Sequence, residues 1–148
     1  MYFRNEFYFL SNMYPCKIVL KLNEKEYTFS CAESAFQALK DIDKADVFAK
    51  LNGFEAKKLG KRQNLIKHWH SVENWNANRV RVMRYVVIAK FEQNPLLMDK
   101  LKNIKEPIVE DNNWNDRFWG KSNGIGENWL GKILTGLKTE ITDELIYG

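Results

Sequence analysis

Phe29-Ser30-Cys31-Ala32-Glu33-Ser34-Ala35-Phe36-Gln37-Ala38-Leu39-Lys40 reads as a helix carrying two stripes. Ala32, Ala35, Phe36 and Leu39 recur at i, i+3, i+4, i+7, the spacing of an apolar face laid on a core. Glu33, Gln37 and Lys40 recur at i, i+4, i+7, so an acid, an amide and an amine share a neighbouring face. Two readings of Glu33 stand side by side. Ser30 followed three residues later by Glu33 fits a capping box, in which the acid only starts the helix. The other reading makes it the working carboxylate of a polar pocket.

Length and composition narrow the setting. At 148 residues the chain is expected to form a single domain over 1–148 and to bury a sizeable core without staples. Hydrophobic residues make up 45% and aromatics 14%, which argues against disorder. Twenty-three basic residues against 19 acidic ones give a net charge of +4, a mixed surface rather than a nucleic-acid footprint. Cys16 and Cys31 are too few for a disulfide framework or a zinc quartet, so free thiols in a reducing compartment are expected. Arg4, Asn5 and Glu6 interrupt the aromatic N-terminus, which rules against a signal peptide, and no apolar run is long enough to span a bilayer. The expected location is the cytoplasm, with no membrane partner.

Around the two-striped helix the pattern predicts an α+β chain, rich in helix, with a small β-sheet. Lys17 to Leu22 alternates and Tyr27 to Phe29 follows a short polar connection, the pattern of a β-hairpin. Asp46 to Leu51 is expected to be helical with Gly53 as its C-terminal cap, and Glu55 to Leu59 to be a second short helix ended by Gly60. Asn76 to Gln93 is the longest predicted helix, with Val80, Met83, Val87 and Phe91 buried and Asn94-Pro95 as its stop. Leu96 to Leu101 is expected as a short helix and Pro107 to Glu110 as a strand. A final helix presents Leu130, Ile133, Leu134, Leu137 and Ile141 to the core.

Between that strand and the last helix lies Asn115-Asp116-Arg117-Phe118-Trp119-Gly120-Lys121-Ser122-Asn123-Gly124-Ile125-Gly126-Glu127-Asn128-Trp129-Leu130-Gly131. Glycines at 120, 124, 126 and 131 allow close backbone approach, and amides ahead of a helix N-terminus suit a phosphate. It is neither a Walker loop nor a dinucleotide fingerprint. Trp119 and Trp129 offer flat surfaces for stacking on a base, with a core anchor the plainer role for Trp129. Asp116 is either a local turn former or an acceptor for sugar hydroxyls. Asn12 either orients a ligand or stabilises a turn. His68 and His70 flank Trp69 with no third ligand in view, so no metal is expected, and Lys57, Lys58, Lys61, Arg62 and Lys67 read as a solvated basic face.

Together these segments resemble a known family. Ser11-Asn12-x-Tyr14-Pro15, Glu33-x-x-Phe36-Gln37-Ala38-x-Lys40, Trp75 ahead of Met83, Lys90-Phe91 with Asn94, Asp116-x-x-Trp119-Gly120 and Gly124-x-Gly126-x-Asn128-x-Leu130-Gly131 match the NADAR (YbiA-like) domain in order and combination. Five departures accompany them: a common Glu-His pair is Glu33-Ser34, a Pro before the helix is replaced by Phe29 or Ser30, the usual hairpin glycine is absent at Asn23-Glu24, an Arg of the last helix is Lys138, and a short insertion near His68 to Asn74 lies upstream of Trp75.

The resemblance implies an N-glycosidase, a hydrolase acting on N-ribosyl bonds in ADP-ribosylated guanine or in early riboflavin-pathway intermediates. It implies Glu33 as the catalytic carboxylate, with Asp116 as a second catalytic group that binds ribose or assists water. It places Trp75 and the Asp116–Trp119 pair in the active site, and with the residue reading above the candidate substrate-binding set is Asn12, Phe36, Gln37, Lys40, Trp75, Trp119, Gly120, Gly124, Gly126 and Asn128. Trp69 rivals Trp75 for the aromatic role. No cofactor or metal is required. The implied partner is a nucleotide-sugar, free or carried on DNA or RNA bases, with no obligate protein partner. The alternative from another class is a non-catalytic reader of ADP-ribose or nucleotide on the same pocket.

Overall fold

The structure, a computed structural model, describes the backbone of residues 1–147 and the side-chain surroundings of residues 1–140. The chain is α+β and mostly helical, as its patterning predicts. Its contacts fall into two compact units, Asn12–Asn94 and Met1–Ser11 with Pro95–Gly148.

The Asn12–Asn94 unit opens with an antiparallel hairpin, β1 (Ile18–Leu22) and β2 (Lys25–Phe29), in register from Ile18 opposite Phe29 to Leu22 opposite Lys25. Ile18, Leu20 and Leu22 are buried on alternate positions, as half-buried strands require. The turn places Asn23 at φ 50° and Glu24 at φ 66°, both left-handed, which matches the twist of a two-residue hairpin turn. The outer edge of β1 is met by a side chain: Gln93 accepts from the Val19 amide at 2.7 Å and donates to the Val19 carbonyl at 2.9 Å.

Helix α1 (Ala32–Ala38) follows, with every residue buried. Around it lie α2 (Ala45–Ala49), α3 (Gly53–Gly60), the single turn α4 (Ile66–Trp69) and the long α5 (Val72–Glu92). Two expectations change here. The capping box is not at Ser30 and Glu33: Cys31 is the N-cap and makes no side-chain cap bond, and the Ser30 hydroxyl donates to the Leu51 carbonyl at 2.9 Å. Gly53 is not a C-cap but the first residue of α3, where Asn52 and Glu55 form the capping box at 2.9 and 3.0 Å. In α3 the buried residues are Gly53, Ala56 and Gly60, a narrow stripe that brings its backbone close to α1. Helix α5 begins earlier than its apolar stripe suggests, because Ser71 accepts from the Asn74 amide at 3.0 Å and caps it. Met83, Val87 and Phe91 are buried as expected, while Val80 is only partly so.

In the second unit, α6 (Pro95–Lys102) and α7 (Trp129–Tyr147) contribute Leu97, Leu101, Leu130, Ile133, Leu134 and Leu137 to buried positions. Ile141 of the predicted stripe lies outside the residues whose side chains are described. Two-residue strands β3 (Asp111–Asn112) and β4 (Lys121–Ser122) pair in parallel. The expected strand at Pro107–Glu110 is absent. A side chain occupies its pairing positions: Asn128 accepts from the Glu110 amide at 2.9 Å and donates to the Ile108 carbonyl at 3.1 Å. No described helix is long and apolar enough to cross a membrane.

Candidate active site

The polar stripe of α1 is real, and it faces inward. Glu33 is 8% exposed and Gln37 5%, an unusual depth for a carboxylate and an amide. Gln37 donates from Nε2 to Glu33 Oε1 at 2.7 Å, the i, i+4 contact of one helical turn. The Glu33 backbone amide, an orphan donor of the first turn, donates to the Asn12 carbonyl at 2.9 Å. The Glu33 amide is thus taken by Asn12 rather than by the Ser30 hydroxyl.

Lys40, the third member, donates to the Gly60 carbonyl at 3.4 Å and lies 5.9 Å from the centre of the Trp75 ring. Burial pushes its ammonium below the ordinary range; attraction to Glu33 opposes this, and Arg79 and Lys61 push it further down. An aromatic wall adjoins it. Trp75 packs at 5.4 Å from Phe36 and edge-on at 5.1 Å from Trp69, whose Nε1 donates to the Leu39 carbonyl at 2.9 Å. The two rival tryptophans thus belong to one cluster, with Trp75 buried and Trp69 half-buried.

Asn12 joins the same group through its carbonyl, and its side-chain Nδ2 donates to Met83 Sδ at 3.4 Å. Asn12 Oδ1 and Gln37 Oε1 are buried and make no hydrogen bond among the described residues. Of the predicted set, Glu33, Gln37, Lys40, Phe36, Trp75 and Asn12 therefore gather within the Asn12–Asn94 unit.

Sequence spacing conceals one further cluster there. His68 Nε2 lies 3.0 Å from Asp41 Oδ1 and 3.6 Å from Asp43 Oδ2, so His68 has two carboxylate neighbours that its own segment does not supply. Their ligating atoms fall within 4.8 Å of one another, a donor set able to accept a cation. Lys67 already pairs with Asp43, and this hydrogen bond holds the Asp43 carboxyl below its usual range. The folded helix-to-helix connection, not the local sequence, makes the cluster.

The remaining predicted residues lie in the second unit. Asp116 acts as a turn former: its Oδ1 accepts from the amides of Phe118 at 3.0 Å and Trp119 at 2.9 Å. Asn112 braces the same turn, accepting from the Asp116 amide at 3.0 Å and donating to the Asp116 carbonyl at 2.8 Å. Trp119 is half-buried and packs edge-on against Phe118 at 4.7 Å. A side chain at Gly120 would overlap the Glu110 carbonyl, whereas a Cβ at Gly124, φ 73°, would meet no atom within 4 Å. Gly126, at φ 153°, passes close to Gly120. Both ends of the Asn128 amide hold backbone groups, as described above.

The expectation of free amides before the last helix needs correcting. The amides of Glu127, Asn128, Trp129 and Leu130 donate to the carbonyls of Arg117, Gly120, Phe118 and Trp119 at 2.8 to 3.2 Å. The loop turns back over the start of α7 and caps it with its own carbonyls, so these four donors are already committed.

Known proteins fit this arrangement. A family model described as the NADAR domain matches residues 2–142. The chain is 29% identical over 140 residues to a riboflavin biosynthesis protein of Vibrio vulnificus (strain YJ016), covering 94% of this chain but 37% of that protein, little more than a third of its length. It is 30% identical over 123 residues to the N-glycosidase YbiA of Shigella boydii serotype 4 (strain Sb227), covering 79% of this chain and 73% of that one. The NMR structure of the E. coli protein YbiA superposes with a TM-score of 0.79 at 26% identity, covering 100% of this chain and 88% of that one. The acid–amide–amine stripe and the aromatic cluster beside it thus sit on the fold of that structure, and the chain belongs to the NADAR domain family.

Proposed function

We propose that this protein is an N-glycosidase that hydrolyses an N-ribosyl bond in a nucleotide-like substrate, with ADP-ribose attached to guanine as that substrate. The observation that carries the reading is the Glu33 carboxylate. It is buried and accepts from Gln37 at 2.7 Å beside the Phe36–Trp75–Trp69 cluster. Family membership and the YbiA relative's name supply the reaction class.

Cleavage of an N-ribosyl bond develops positive charge on the sugar, through an oxocarbenium-like transition state. A carboxylate held in place before the reaction stabilises that charge with little reorganisation, or takes the proton of the attacking water. Water adds to the anomeric carbon, the C–N bond breaks, and the base leaves with the bonding pair and a proton. Gln37 supports the ionised form of Glu33 by donating to it. Lys40 adds positive potential at the same stripe, although burial weakens its hold on a proton. An aromatic face of the cluster would stack on the leaving base.

A second substrate class has its own support. The Vibrio vulnificus relative is named for riboflavin biosynthesis, which favours early intermediates of that route as N-ribosyl substrates. One assay separates the two. Base release is followed by chromatography on ADP-ribosylated guanosine and on riboflavin intermediates, with wild type and Glu33→Gln. Release from the first by wild type alone supports the proposal, and release from the second alone moves the assignment to that substrate. Tight binding of intact ligand without release makes the protein a reader. Full turnover by Glu33→Gln would remove the carboxylate from the mechanism.

A further inference from the structure

We infer that Gly60 is a positioning residue for the Glu33 carboxylate and acts through Gln37. The inference rests on the reading of Glu33 as the working acid. An ionised carboxylate only accepts hydrogen bonds, so Gln37 must offer it the NH2 end of its amide, which it does at 2.7 Å. That choice turns Oε1 the other way, towards α3. At 5% exposure the side chain has little room to turn elsewhere, and Oε1 has no hydrogen-bond partner among the described residues.

Oε1 instead lies in the space that a Cβ of residue 60 would occupy, and a methyl group there would overlap both Oε1 and Cδ of Gln37. The glycine is not a backbone requirement. Gly60 closes α3 without a left-handed φ, and in a helix alanine is the stronger former. What glycine supplies is room for the Gln37 amide. The same residue accepts from Lys40 at 3.4 Å, so one backbone position sets two of the three members of the polar stripe. Ala56, one turn earlier on the same buried stripe, shows that α3 accommodates a methyl group at that position.

A double-mutant cycle tests the seat without any turnover. Melting temperatures are compared for wild type, Gly60→Ala, Gln37→Ala and the double variant. The expected result is a fall of several degrees on Gly60→Ala when Gln37 is present, and no fall when residue 37 is alanine. An equal fall in both backgrounds overturns the inference, since the glycine then serves helix packing alone. If Gly60→Ala does not fold, folding of the double variant supports the seat and its failure overturns it. A second measurement addresses positioning: the acid limb of the kcat/KM profile should move to higher pH in Gly60→Ala and Gln37→Leu alike, with a smaller change in KM. An unmoved limb beside a coupled cycle overturns the positioning role. Absence of base release by wild type would sink the N-glycosidase reading, while the cycle would still decide the seat.

Discussion

Gln37 Nε2 and Glu33 Oε1 stand 2.7 Å apart on the buried face of α1, and this bond fixes the direction of the carboxylate. If Glu33 carries the chemistry, Glu33→Gln keeps shape and removes charge. It should lower kcat by about 10²-fold or more while the melting temperature stays near that of wild type. Gln37→Leu removes only the donor, and a loss of about tenfold in kcat/KM is expected. Steady-state kinetics on the cleaved substrate checks both, and equal activity in all three proteins would sink the role of the pair.

The hairpin turn carries a correctable strain. Glu24 sits at φ 66°, where a Cβ costs roughly 1 kcal/mol and glycine nothing. Glu24→Gly should therefore raise stability by about 1 kcal/mol, less the entropy that glycine adds to the unfolded chain. Urea unfolding with an unchanged m-value is the measurement, and a loss of stability would contradict the turn geometry.

Asn128 predicts a large effect from a single buried amide. Asn128→Ala strands the Ile108 carbonyl and the Glu110 amide together, so a loss of about 3 kcal/mol is expected. Denaturant titration reads this directly. A change below about 0.5 kcal/mol would mean that water replaces the side chain at both groups.

Lys90 makes stability depend on pH. It is 1% exposed, and burial pushes its ammonium from 10.5 down to about 8, with Cys16 and Cys31 pulling it back up. Between pH 8 and 10.5 the unfolded chain binds the extra proton, so stability rises with pH across that window and is flat below it. The full span is about 3 kcal/mol. Cys16 acts in the opposite sense, because burial raises its thiol and ionisation of the unfolded chain is favoured first. In a Cys16→Ser background the melting temperature should climb from pH 7.5 to 10, and adding Lys90→Met should reduce the climb to the part that Lys40 contributes in the same sense.

The helix of Glu33 was legible from spacing alone, because a face of four apolar residues leaves little freedom in which side turns inward. Its start was not. Ser30 and Glu33 carry the capping pattern, yet Asn52 and Glu55 carry the same chemistry, and only the position of Leu51 diverts the Ser30 hydroxyl. Pro107–Glu110 reads as a strand because its composition suits one. What pairs with it is a side chain 18 residues or more away, which no local window contains. Gly53 and Gly60 look like helix ends by residue type, and their true use depends on the helix packed against them. The cluster of Asp41, Asp43 and His68 was hidden for the same reason.

Gln93 gives the hairpin a protection unrelated to catalysis. A two-stranded sheet exposes a row of unpaired amides and carbonyls, a template on which another chain can lay a strand and begin to aggregate. By filling both backbone positions of Val19, Gln93 imitates a third strand with a single amide. It closes the template where a visiting strand would dock.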